Sequence, residues 1–117
     1  VPLTGAIMVT TPQEVALMDV RKGILMFQKT QVPLLGMIEN MTGEIFGEGG
    51  GKIAAEQFHI PFLGQIPLDA SVRECGDAGK PVVVAHPDSA VAREFLKVAE
   101  KFIETLSALS NQSEGGL

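Results

Sequence analysis

The sequence predicts an α/β fold: a parallel sheet with helices on both faces. Two observations lead there. Short continuous apolar runs recur at Ala6–Val9, Pro33–Ile38 and Pro61–Ile66, as strands buried on both faces require. Stretches with helical spacing of apolar residues separate them, which is the alternation of βαβ units. The Pro-apolar-Leu-Gly pattern at Pro33–Gly36 and again at Pro61–Gly64 marks the start of a strand, not a solenoid repeat.

The first run, Ala6-Ile7-Met8-Val9, ends at Thr10-Thr11-Pro12-Gln13-Glu14. Thr11 suits an N-cap, Pro12 the first helical position and Glu14 the far side of a capping box. Leu17, Val20, Ile24 and Phe27 then form one helical stripe, ending near Thr30. A second strand over Pro33–Glu39 stops at the turn chemistry of Asn40-Met41-Thr42-Gly43. A Gly-rich segment, Ile45 to Gly51, leads into a helix reaching Phe58, with Ile53, Ala54 and Phe58 inward. The third strand, Pro61–Ile66, ends at Pro67-Leu68-Asp69, and a short helix follows over Ala70–Ala78. Pro81 to Ala85 reads as apolar and extended. Asp88 or Ser89 caps a last helix that aligns Val91, Phe95, Val98, Phe102, Leu106 and Leu109. Residues 110–117 read as a flexible Ser/Gly-rich tail after a domain over 1–109.

At 117 residues and 45% apolar content the chain can build a packed core. It opens on Val1-Pro2-Leu3 without an initiator Met, and three strands make a thin parallel sheet, so it reads as part of something longer. The charge of −5, with no Trp or Tyr, argues against nucleic-acid binding. No apolar run is long enough for a membrane span, and no signal peptide is evident. The single Cys75 excludes an internal disulfide and a Cys-rich metal site. These features fit a reduced, cytoplasmic protein.

Few residues carry chemistry by pattern alone. The Gly-rich stretch is not a Walker A loop: Gly51-Lys52 is followed by Ile53, and Phe46 stands where the first Gly belongs. It fits a mobile connection, although a helix N-terminus there could take an anion. His59, His86 and Cys75 have no partners at useful spacing and read as structural. Asn40 is placed at the carboxyl end of a parallel strand, where open α/β sheets bind ligands. Its amide matches the N6/N7 edge of adenine, although spacing alone favours a simple turn residue.

Taken in order, Val1-Pro2-Leu3-Thr4-Gly5-Ala6, Thr10-Thr11-Pro12-Gln13-Glu14-Val15-Ala16-Leu17, Val32-Pro33-Leu34-Leu35-Gly36, Glu39-Asn40-Met41, Ile45-Phe46-Gly47-Glu48-Gly49-Gly50-Gly51 and Pro61-Phe62-Leu63-Gly64-Gln65-Ile66-Pro67-Leu68-Asp69 resemble the Mrp/ApbC family. These are P-loop ATPases of the MinD/ParA-like deviant-Walker group. The resemblance implies the C-terminal half of a Rossmann-like, three-layer α/β/α P-loop NTPase. It implies ATP with Mg2+ in the full-length family member, a homodimer, and an iron–sulfur cluster carried to apo iron–sulfur proteins. Asn40 would contact the adenine, and Pro67, Leu68 and Asp69 would line the base pocket. Thr10, Thr11, Pro12 and Gln13 would face the nucleotide and the dimer partner. Two departures matter. The Walker A and Walker B segments are not in this sequence, so these 117 residues alone are not expected to hydrolyse ATP. The family's Cys-x-x-Cys loop is also missing, since Met41 runs through Thr42-Gly43-Glu44 directly to Ile45. The alternative to a carrier fragment is a non-catalytic truncated paralogue that self-associates or binds a partner.

Overall fold

The computed structural model describes the backbone of residues 3–115 and the side chains of residues 3–109. Three strands, β1 (Ala6–Thr10), β2 (Leu34–Thr42) and β3 (Phe62–Pro67), form one sheet in the order β1-β2-β3, parallel throughout. Helices α1 (Glu14–Lys29) and α2 (Gly50–Gln57) pack on one face. Helices α3 (Ala70–Asp77), α4 (Val82–Ala85) and α5 (Ala90–Gly115) cover the other. The expected three-layer parallel architecture is present.

Side-chain alternation along the strands, with a register shift at Leu63 that brings Leu63 and Ile66 to one face, explains the two cores. Met37 on β2 faces Leu17, Val20 and Ile24 of α1 and the small Ala54 and Ala55 of α2. Ile7, Ile38, Leu63 and Ile66 face Cys75, Val82, Val91 and Val98. Gly36 lets β2 and Leu63 approach closely; a Cβ there would fall 2.5 Å from the Leu63 side chain.

Four local readings need correction. Thr11 does not cap α1. Its hydroxyl donates to the Gln13 side chain at 3.2 Å, and the helix begins at Glu14, too late for a Thr11–Glu14 capping box. Pro81–Ala85 is not extended: the Pro81 carbonyl accepts from the Val84 and Ala85 N–H groups, and α4 follows. Val82 and Val83 pack beside α5 there, and that packing overrides their strand preference. Ile53 is not inward but 56% exposed, because the buried stripe of α2 runs through Gly51, Ala54 and Ala55. β2 does not stop at Asn40 but continues to Thr42.

The last helix begins as expected, with the Ser89 hydroxyl accepting from the Ala92 N–H at 3.2 Å. Its helical backbone reaches Gly115, past the start of the expected tail; residues 116–117 lie outside the described residues.

Candidate functional site

The site is built where β2 and β3 end. Asn40 pairs with Ile66 and Thr42 with Pro67, so Met41 is an extra residue in the ladder, with φ at +60°. This is a β-bulge, a device that re-aims side chains next to binding sites. The Asn40 Oδ1 accepts the Met41 N–H at 3.0 Å, which supports the left-handed turn and leaves the amide NH2 as a donor. Across the gap, the Leu68 N–H donates to the Thr42 carbonyl at 2.9 Å and ties the β3–α3 connection to the bulge.

A cleft of about 670 Å³ opens between these segments. Asn40, Pro67, Leu68 and Asp69, which the sequence reading grouped, all line it. Met41, Ile45, Ile66 and Val72 supply much of its apolar wall, and Arg73 adds a guanidinium. An apolar cleft with a few convergent polar groups suits a flat heteroaromatic ligand. The Asp69 side chain has a structural task of its own. It caps α3, accepting from the Ser71 N–H at 2.8 Å and the Ser71 hydroxyl at 2.7 Å. Those two bonds, the hydroxyl first, hold its carboxyl below its ordinary 3.8, with a smaller pull from His86.

Thr10 and Thr11 line a smaller recess of about 290 Å³ that shares Asn40 with the main cleft. Pro12 and Gln13 line neither. Gln13 caps α1 by its backbone carbonyl, which accepts from the Leu17 N–H at 3.0 Å. A shallow groove of about 720 Å³ over Lys22, Leu25 and Met26 lies on the outside of α1 alone and has no facing wall.

Sequence reasoning passed over one residue that organises the site. Glu39 is fully buried, and its carboxylate accepts from the Gly49 N–H at 2.9 Å and the Gly51 N–H at 2.7 Å. The anion expected as a possibility at the N-terminus of α2 is therefore the chain's own. A readable signal existed. A carboxylate in a strand buried on both faces needs donors, and a following Gly-rich helix start offers free N–H groups. Between Asn40 and Gly49 the chain closes a short hairpin, with Gly43 and Gly47 exchanging two hydrogen bonds of 2.9 and 2.7 Å.

The residues present do not fit an iron–sulfur cluster. The hairpin contains no Cys, and Cys75 is buried in the core under α5. Among the described residues no group of three or more His, Cys, Asp or Glu side chains could hold a metal ion, and no helix is long and apolar enough to cross a membrane.

Comparison with known proteins agrees with this architecture. The chain is 42% identical over 121 aligned positions to the iron–sulfur cluster transfer protein NUBPL of Dictyostelium discoideum, covering 95% of this chain and 38% of that protein. It is 45% identical over 127 positions to the iron–sulfur cluster carrier protein of Deinococcus radiodurans, covering 96% and 36%. The chain thus spans less than two-fifths of the length of either relative. Both alignments are longer than the 117-residue chain, so the relatives carry residues with no counterpart here. The cell division ATPase MinD of Pyrococcus furiosus superimposes with a TM-score of 0.76 at 32% identity, over 88% of this chain and 43% of that structure. MinD of Pyrococcus horikoshii, solved with Mg-ADP, gives 0.76 at 31%, over 91% and 43%. The ParA family profile described as NUBPL iron-transfer P-loop NTPase matches residues 1–103, and the chain belongs to that family.

Proposed function

We propose that this chain is the base-recognising, C-terminal part of an iron–sulfur cluster carrier that binds and hydrolyses ATP. One observation carries the reading: the cleft that joins Asn40 to Pro67, Leu68 and Asp69 at the carboxyl ends of two parallel strands. The Asn40 amide donates to adenine N7, and its Oδ1, with a lone pair left over from Met41, accepts from N6. Pro67 and Leu68 cover a face of the base, and the α3 cap at Asp69 fixes that loop. Thr10 and Thr11, beside Asn40, lie toward the phosphates and a dimer partner. Hydrolysis needs in-line attack on a γ-phosphate held by Lys and Mg2+, groups this chain does not assign. The cluster is cargo, and its thiolate ligands are not among these residues. The recipients are apo iron–sulfur proteins, and the working form is a homodimer. Photolabelling the natural protein that contains these residues with 8-azido-ATP tests the site. Label should fall within residues 40–45 or 66–73, and label confined to other segments rejects the assignment.

A second reading is supported by a different observation. Among the described residues β1 lies at an open sheet edge, and Val9 on it is 57% exposed. That surface favours a non-catalytic module that pairs with itself or with a partner.

A further inference from the structure

The hairpin beside the cleft has an unusual construction. It is closed on itself by the two Gly43–Gly47 hydrogen bonds, and it stands clear of the body: a Cβ built on Gly43, Gly47 or Gly49 would touch nothing within 4 Å. Its tip is a large aliphatic residue, Ile45, which is 76% exposed and yet lines the same cleft as Asn40. Exposing that much apolar surface is unfavourable unless something covers it. Both ends of the hairpin are fastened to the same strand. The near end leaves β2 through the Met41 bulge, and the far end is held by the buried Glu39 carboxylate through Gly49 and Gly51. Glu39 and Asn40 are neighbours in β2, so one residue contacts the cleft while the other fixes the loop that walls it.

We infer that Ile45 is a base-contacting specificity residue and that Glu39 is the positioning residue that holds it over the cleft. The inference rests on the base-site reading above. Ile45 would close against the open face of a purine, burying its own side chain and drying the Asn40 hydrogen bonds. A separate anion site at the α2 N-terminus is ruled out by chemistry, because the Glu39 carboxylate already fills it.

Titration calorimetry on the natural protein containing this sequence tests it, with ADP and with ribose 5-diphosphate, which keeps the sugar and phosphates but lacks the base. Ile45→Ala should weaken ADP roughly five- to thirtyfold and leave ribose 5-diphosphate unchanged, while Ile45→Val recovers most of the loss. Because Ile45 is exposed, the melting temperature should not move. Glu39→Gln should weaken ADP in the wild-type background but add little once Ile45 is Ala, although it lowers the melting temperature in both. Equal ADP losses from Glu39→Gln in the two backgrounds overturn the positioning role. An unchanged ADP preference in Ile45→Ala overturns the contact and leaves the base site standing. Equal binding of ADP and ribose 5-diphosphate by the wild type rejects the base site itself, and the inference with it.

Discussion

Asn40 and Asp69 lie in one cleft but differ in what their side chains are free to do. The Asn40 oxygen holds one backbone N–H, and its NH2 group is uncommitted, so it can read a base edge. Asn40→Ala would remove the proposed edge contact and the bulge support together. In the natural protein it should weaken ATP binding by about 1–3 kcal/mol, measured by calorimetry, and an unchanged affinity removes Asn40 from the site. Asp69 is already committed to Ser71, which makes it a wall of the cleft through its loop position more than through its carboxylate. Its titration follows from that. The native pKa is depressed, so the cap contributes in full above 3.8 and is lost as pH falls through the lower native value. In a carbon-detected NMR titration the Asp69 carboxyl should show a midpoint under 3.8, with the Ser71 amide following it. A midpoint at or above 3.8 would mean that the cap does not hold in solution.

At the level of elements, the legible features were those with a strong period or a strong stop. The stripe Leu17, Val20, Ile24 fixed α1, and the Pro-led apolar runs fixed β2 and β3. The bulge was not legible, because Asn-Met-Thr-Gly is turn chemistry by composition and only pairing with Ile66 and Pro67 keeps it in the sheet. α4 was hidden for a similar reason, since three valines read as a strand until α5 packs beside them. In the site, Asn40, Pro67, Leu68 and Asp69 were grouped by resemblance, whereas Ile45 emerges only once the hairpin is in place, and the donors that the buried Glu39 carboxylate requires are identified only once α2 is. The junction of α2 with the sheet makes a specific prediction. A Cβ on Gly51 would lie 3.1 Å from the Glu39 Cβ and 3.1 Å from the Thr10 Cγ2. Both neighbours are buried, so neither yields easily. Gly51→Ala should therefore destabilise the fold by about 1–3 kcal/mol in denaturant unfolding. Thr10→Ser, which removes the Cγ2 methyl, should recover part of that loss. Equal stability of wild type and Gly51→Ala would show that α2 sits farther from the sheet.

For the molecule as a whole, the two faces of the sheet are unequally covered. α1 reaches β1 on one side, while on the other α5 lies mainly over β3 and β2. Ile7 and Val9 share that second face by strand alternation, and Ile7 is partly buried while Val9 is left in solvent. Among the described residues the same strand has no hydrogen-bonded neighbour on its outer side. An uncovered apolar strip along an unpaired parallel edge is a template for another chain. The 117-residue chain, prepared by itself, should therefore associate as its concentration rises. Sedimentation velocity over a hundredfold concentration range should show the weight-average mass climbing above 12.4 kDa. Val9→Lys places a charge on the strip without touching either core and should return the chain to the monomer. The carrier reading and the self-association reading separate at the next step. If the strip is where the rest of a longer ATPase domain packs, Val9→Lys in the natural protein should lower its melting temperature and its ATP affinity together. If the strip instead serves pairing between copies, Val9→Lys should abolish the dimer and leave the melting temperature of the dilute protein unchanged.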